Sequence, residues 1–250
     1  MELKYATVLV VDDEAMLLDI FREWLEEENC RVLTAGHGAA ALEILRQEHA
    51  DVIVSDVRMP VMDGILMLKN LTAHGHPPGD TPPPKVIFVS GFTDLEPREA
   101  YGMGAEVILQ KPIIRDQFVD AVRRTLRPRE EAWADPPVPG GQQLRVTLPR
   151  ASSAIKQGRI AFGRGGFCVR CASPIREGPV RFELDFKTET LAGHGLIRWA
   201  NPDESLLGVE ISNLDGGCRD WAVELIRANS GSSYIPRVAR STAQTFGTAG

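Results

Sequence analysis

Four short apolar runs in the first 111 residues each stop at a residue that can do chemistry. Ala-Thr-Val-Leu-Val-Val precedes Asp12-Asp13, Asp-Val-Ile-Val-Ser precedes Asp56, Val-Ile-Phe-Val precedes Ser90, and Val-Ile-Leu-Gln precedes Lys111. Runs of this kind, apolar on both alternating sets of positions, belong to strands buried on both faces, as in a parallel sheet. Ligands of an open α/β sheet collect at the carboxyl ends of its strands. Asp12, Asp13, Asp56, Ser90 and Lys111 are therefore expected on one rim, although the chain separates them widely. Clustered carboxylates there would hold a hard cation such as Mg²⁺ through oxygen. An ammonium and a hydroxyl beside them suit a phosphoryl group.

The stretches between the runs have helical periodicity. Helices are expected near Ala15–Glu28, with Leu18, Phe21, Trp24 and Leu25 as the buried stripe, and near Ala39–Gln47, Gly64–Ala73, Pro97–Gly102 and Arg115–Leu126. With strands at Thr7–Val11, Arg31–Ala35, Val52–Ser55, Lys85–Val89 and Glu106–Leu109, residues 1–126 become five β-α repeats. Such repeats build a parallel sheet with helices on both faces, and right-handed crossovers leave few topologies. Residues 75–84, Gly-His-Pro-Pro-Gly-Asp-Thr-Pro-Pro-Pro, suit neither helix nor central strand and are expected as a surface loop.

The remainder of the 250 residues differs in kind. Residues 127–141 hold four prolines and Gly140-Gly141, which predicts a stiff linker and a domain boundary. Residues 142–228 carry short alternating runs at Leu144–Leu148, Arg159–Phe162, Phe167–Arg170, Val180–Phe186, Gly193–Trp199 and Leu207–Ile211, separated by Gly and Pro. They predict a small antiparallel barrel. One amphipathic helix follows near Arg219–Ala228, with Trp221, Leu225 and Ala222 inward. Residues 229–250, rich in Ser, Thr, Ala and Gly, predict a disordered tail.

Charge separates the two halves. Residues 1–126 carry 12 basic and 21 acidic side chains, residues 142–228 carry 12 and 10. Neither half has the concentrated basic stripe of a nucleic-acid footprint. The chain has no apolar run of membrane-spanning length, and Met1-Glu2-Leu3-Lys4 leads into a strand rather than a signal peptide, so a cytoplasmic location without membrane contact is expected. Cys168-Val-Arg-Cys171 is a lone CxxC with no second pair, and strand alternation would send its thiols to opposite faces. His37, His49, His74, His76 and His194 share no spacing and receive no role.

Asp12-Asp13, Asp56-Val-Arg-Met59-Pro60-Val-Met-Asp63-Gly64, Ser90-Gly91 and Lys111-Pro112 together resemble the receiver domain of bacterial two-component response regulators. The resemblance covers residues 5–126 and implies a flavodoxin-like, doubly wound five-stranded sheet. It also implies roles. Asp56 is the phosphoacceptor, a carboxylate nucleophile taking phosphate from a sensor histidine kinase. Asp13, Asp56 and the backbone carbonyl of Arg58 are direct Mg²⁺ ligands, with Asp12 acting through water. Lys111 pairs with the phosphate, Ser90 hydrogen-bonds it, and Lys111-Pro112 carries a cis peptide. Taken alone, Asp12-Asp13 equally suits a helix N-cap, and Asp63-Gly64 suits a turn and helix start better than a ligand. One position departs from the family: Ile108, three residues before the Lys, stands where receivers carry a Tyr or Phe that reports phosphorylation.

Gly165-Gly166-Phe167, Pro174-Ile175 with Gly178, Leu196-Ile197-Arg198-Trp199-Ala200 and Leu207-Gly208-Val209-Glu210-Ile211 resemble the PilZ domain, a small bacterial barrel that often binds cyclic di-GMP. Its ligand motifs are absent. Where Arg-x-x-x-Arg is sought there is Arg145 and then, four residues between, Arg150. Where Asp/Asn-x-Ser-x-x-Gly is sought the chain reads Ala161-Phe-Gly163-Arg-Gly-Gly166. Cyclic di-GMP is therefore set aside in favour of a protein partner for the barrel, with Arg164 a solvated turn residue and Trp199 a core residue. A cyclic di-GMP effector tuned by the receiver, and a receiver serving mainly as a homodimerisation or docking scaffold, are the alternatives. The chain is expected to be a kinase substrate rather than an enzyme.

Overall fold

The computed structural model describes residues 3–74, 82–91, 95–137, 140–171 and 176–237, and the chain divides into two units after Pro128. In the first unit, β1 (Thr7–Val11), β2 (Arg31–Ala35), β3 (Val52–Asp56), β4 (Lys85–Ser90) and β5 (Ala105–Gln110) alternate with α1 (Ala15–Glu27), α2 (Gly38–Gln47), α3 (Gly64–His74), α4 (Pro97–Met103) and α5 (Arg115–Leu126). The strands pair in parallel in the order β2-β1-β3-β4-β5, the doubly wound flavodoxin-like arrangement.

The strand alternation explains why the runs are apolar throughout. Val8, Val10, Val52, Val54, Ile87 and Val89 face one core, shared with Phe21, Leu25 and Phe118 of α1 and α5. Leu9, Val11, Ile53 and Phe88 face the other, shared with Met67 and Leu68 of α3. Phe21 stacks on Phe118 with ring centroids 4.6 Å apart. Leu18 and Trp24, expected within the α1 stripe, are only partly buried and flank it. Residues 75–81 of the Pro-rich stretch lie outside the described residues.

The second unit corrects several expectations. Its strands are β6 (Gln142–Thr147), β7 (Ile160–Phe162), β8 (Gly166–Arg170), β9 (Gly178–Asp185), β10 (Thr190–Asn201) and β11 (Leu206–Leu214), and its long helix is α8 (Arg219–Asn229). The sheet runs β6-β9-β10-β11-β8-β7 and is mixed, because β6 pairs with β9 in parallel, from Gln142 beside Val180 to Thr147 beside Asp185. The β9–β10, β10–β11, β11–β8 and β8–β7 pairs are antiparallel as expected, and the parallel β6–β9 pair is the departure. Alternation marks the faces of a strand but not the direction of its partner. On α8 the fully buried positions are Ala222 and Ile226, while Trp221 and Leu225 are half-buried. The short helix α7 (Ala151–Lys156) carries no sequence signal strong enough to predict it.

The stretch read as a linker also folds. A helical turn, α6 (Arg129–Ala132), leads to Trp133, which is 3% exposed within the second core. Its indole N–H donates to the Ile211 carbonyl at 3.0 Å, and its own carbonyl accepts from the Leu214 N–H at 2.9 Å. The Asn213 side chain donates to the carbonyl of Asp135. Only Arg127 and Pro128 stand between α5 and α6. A single tryptophan among polar residues and prolines has no periodicity to betray it.

The predicted disordered tail is likewise ordered as far as Arg237, since Tyr234 and Ile235 are fully buried. Residues 238–250, together with Pro174-Ile175 of the barrel resemblance and His76, lie outside the described residues. Cys168 is buried, Cys171 is half-buried, and neither forms a disulfide. Among the described residues no helix is long and apolar enough to cross a membrane.

Candidate functional site

The carboxyl ends of β1, β3, β4 and β5 bring the five predicted residues to one rim. Asp12 follows β1, Asp56 and Ser90 end β3 and β4, and Lys111 follows β5. Asp12, Asp56 and Ser90 are buried at 1%, 8% and 3% exposure, whereas Asp13 is exposed to solvent. Among the described residues, Asp12, Asp13 and Asp56 place one carboxylate oxygen each within 4.8 Å of one another. The Lys111 ammonium donates to Asp56 Oδ2 at 2.9 Å and lies 3.8 Å from Asp12 Oδ2. The peptide between Lys111 and Pro112 is cis.

The backbone shapes this cup. The Arg58 N–H approaches Asp56 Oδ1 at 3.4 Å, which brings the start of the β3–α3 loop to the carboxylate. The Asp63 carboxylate accepts from the Leu66 N–H at 2.7 Å, so Asp63 caps α3 and is not drawn into the acidic group. Gly64 is required sterically, because a Cβ there would lie 2.3 Å from the Asp56 carbonyl oxygen and 2.8 Å from Ser55 Oγ. In the same loop, Val61 adopts a left-handed φ of 67° with its side chain 81% exposed. A β-branched residue is strained in that region and here gains no packing in return. Val61→Gly is therefore expected to raise receiver stability by about 0.5–1 kcal/mol, the relief of strain exceeding the added freedom of the unfolded chain. Urea denaturation checks this, and a loss of stability would count against the strain.

The electrostatics are those of a site built for more positive charge than its lysine supplies. Burial raises the Asp12 pKa, and the charges of Asp56 and Glu14 add to it, against the Glu14 N–H bond at 2.9 Å and Lys111. Burial works to lower the Lys111 pKa, but the hydrogen bond and charge of Asp56, with Asp12 and Glu14, outweigh it and the net shift is upward. Asp12 Oδ2 is buried and accepts no hydrogen bond. A buried carboxylate oxygen without a donor is costly unless a cation answers it. The donor set is all hard oxygen, so the residues fit Mg²⁺. Glu14, which sequence reasoning passed over, contributes its N–H and its charge here; its place directly after Asp12-Asp13 was the available signal.

The signs are definite. The folded pKa of Asp12 lies above its ordinary value of 3.8, so its ionisation disfavours the metal-free fold above that folded pKa, a penalty absent below the unfolded value. For Lys111 the folded pKa exceeds 10.5, so its favourable contribution is complete below 10.5 and is lost as pH rises through the folded value. A cation displaces the Asp12 proton. Mg²⁺ affinity is thus expected to weaken as pH falls through the raised Asp12 pKa, with proton uptake on release. Calorimetry in two buffers of different ionisation enthalpy reads that proton, and its absence throughout the acidic range would contradict the assignment.

The Ser90 hydroxyl donates to the Gly91 carbonyl at 2.8 Å. Ile108 is half-buried on β5 against the core that holds Phe88.

In the second unit, Arg145 and Arg150 are both exposed. Arg145 is an exposed side chain 3.4 Å from Glu183, and Arg150 precedes α7. Arg164, expected as a solvated turn residue, reaches the Ser232 carbonyl with its Nε at 3.4 Å. Trp199 is buried, and a Cβ on Gly208 would lie 2.1 Å from its ring.

Comparison with known proteins finds its family match in the first unit. The family model for the response regulator receiver domain matches residues 8–123. The response regulator GtcR of Aneurinibacillus migulanus is 26% identical over 159 residues, 61% of this chain and 62% of GtcR. The hydrogenase transcriptional regulatory protein HoxA of Cupriavidus necator is 37% identical over 128 residues, 49% of this chain and 24% of HoxA. The probable transcriptional regulatory protein TcrX of Mycobacterium tuberculosis is 32% identical over 122 residues, 48% of this chain and 50% of TcrX. The chain thus spans less than two thirds of each of these relatives. Among solved structures, a response regulator receiver domain protein from Clostridium thermocellum is 29% identical with a TM-score of 0.43, covering 48% of this chain and 94% of that one.

Residues 8–123 are a response regulator receiver domain.

Proposed function

We propose that the chain is a phosphorylation-dependent response regulator in which Asp56 accepts the phosphoryl group and the second unit, a divergent PilZ-like domain, relays the signal to a protein partner. The observation that carries the first part is the placement of Lys111 at 2.9 Å from Asp56 inside a group of three carboxylates. Asp56 Oδ attacks phosphorus, the bond from phosphorus to the kinase histidine nitrogen breaks, and the ring, already protonated on its other nitrogen, leaves as neutral imidazole. Asp12, Asp13, Asp56 and the Arg58 carbonyl would hold Mg²⁺, which when bound offsets the charge of the carboxylates and phosphoryl oxygens. Lys111 holds the phosphoryl oxygens that replace its contact with Asp56. Ser90 is positioned to turn from Gly91 toward the new phosphate.

Borohydride reduction of the phosphorylated protein, followed by peptide mass spectrometry, locates the acyl phosphate. Reduction at residue 56 is the expected result; reduction at Asp12 or Asp13 with none at Asp56 would remove the proposal. The relay reading is supported by a second folded unit, from Arg129 onward, on the same chain as the receiver. The reading that sets cyclic di-GMP aside is supported by the chain's own residues lying over the Gly163–Gly166 turn.

A further inference from the structure

Beyond α8 the chain crosses back over the second unit, and Ser232–Arg237 forms a strap on the Gly163–Gly166 turn. The Arg164 N–H donates to the Ser233 carbonyl at 3.0 Å and the Gly165 N–H to the Tyr234 carbonyl at 2.9 Å. Tyr234 is fully buried, its hydroxyl donating to Glu210 Oε1 at 2.6 Å. The Arg129 guanidinium lies 4.8 Å from the centre of the Tyr234 ring. Ile235 is fully buried beside it.

Two features show that this surface is shaped for a chain segment. First, Gly163 and Gly165 leave room for one. A Cβ on Gly163 would lie 2.5 Å from the Tyr234 carbonyl oxygen, and one on Gly165 would lie 2.0 Å from the Tyr234 ring. Neither glycine has a left-handed φ, so close approach is what requires them. Second, the anchor can leave without stranding a buried charge. Glu210 is paired independently with Arg198, whose Nε donates to Oε2 at 2.6 Å, and lies 3.9 Å from Arg129. The strap itself belongs to no ladder of the sheet, so its departure breaks no strand pairing.

We propose that this surface is a peptide-docking site, occupied in cis by Tyr234-Ile235-Pro236, and that the strap is displaced by an extended partner segment of the same chemistry: a hydroxyl-bearing aromatic residue followed by an aliphatic one. The aromatic hydroxyl docks on Glu210, its ring lies between Arg129 and Gly165, and the segment's carbonyls take the Arg164 and Gly165 N–H groups. The inference rests on the reading of the second unit as a protein-contacting output and is independent of Asp56.

Hydrogen exchange on the full chain tests displacement. The Arg164 and Gly165 amides are expected to exchange at least about 100-fold faster than those of the β10–β11 ladder, as a locally opening segment does. Gly165→Ala, which evicts the ring, should speed them further and leave the ladder unchanged. Equal, slow exchange at both places in the wild-type chain would overturn the proposal, because the strap would then leave only on global unfolding. Docking is tested with a labelled peptide of residues 230–237. It should bind the Tyr234→Ala/Ile235→Ala chain at least about tenfold more tightly than wild type, a difference of about 1.4 kcal/mol. It should not bind once its own tyrosine is changed to alanine. Equal binding of the two peptides would also overturn the proposal. Neither assay involves phosphate, so their failure leaves the phosphoacceptor reading standing, and loss of that reading leaves them intact.

Discussion

Asp56→Asn is expected to reduce phosphate incorporation from a cognate kinase or a small-molecule phosphodonor by at least about 100-fold, equivalent to about 2.7 kcal/mol of activation free energy. An amide oxygen is a poor nucleophile toward phosphorus and yields no stable acyl phosphate. The fold has no reason to change, because Asn is nearly isosteric and its Oδ1 can still accept from the Arg58 N–H. The control is therefore an unchanged unfolding midpoint beside the lost label. Asp13→Asn separates metal from nucleophile: it should weaken Mg²⁺ binding while Asp56 and Lys111 keep their 2.9 Å contact. Equal labelling of wild type and Asp56→Asn, measured on a phosphate-affinity gel, would exclude Asp56 as acceptor.

Trp133→Ala is expected to cost the second unit about 3–5 kcal/mol, the range for deleting a large buried aromatic. The indole is 3% exposed and its N–H is satisfied by Ile211. Trp133→Phe keeps most of the apolar contact and loses the hydrogen bond, so its cost should be nearer 1–2 kcal/mol. Chemical denaturation followed by circular dichroism distinguishes the units. The transition of the sheet formed by β6–β11 should move to lower denaturant and that of the receiver should stay in place. A solvated linker tryptophan would move neither by more than about 0.5 kcal/mol, so the experiment decides whether residues 129–137 are linker or core.

The strap and α6 belong together in this respect. Both lie outside the strands, and both reach the same carboxylate: Arg129 lies 3.9 Å from Glu210 and Tyr234 donates to it at 2.6 Å. The second unit therefore closes its core with segments from both of its ends, where the sequence suggests only polar connectors.

The receiver is legible in the order of residues alone. Strands covered on both faces need apolar residues at every position, so each run announces its strand, and the chemistry-bearing residue that ends it announces the rim. Asp12, Asp56, Ser90 and Lys111 could be placed together because a parallel sheet puts every strand end on the same side. The second unit depends on contacts that no local pattern records. Alternation in Leu144–Leu148 and Val180–Phe186 could not say that β6 would lie parallel to β9. Trp133 and Tyr234 are lone aromatics among Pro, Ser and Gly, without the periodicity by which a buried face is read. Their burial follows from partners far along the chain, Ile211 for one and Glu210 with Gly165 for the other. A local pattern records only what neighbouring residues share, and these contacts share nothing but the fold.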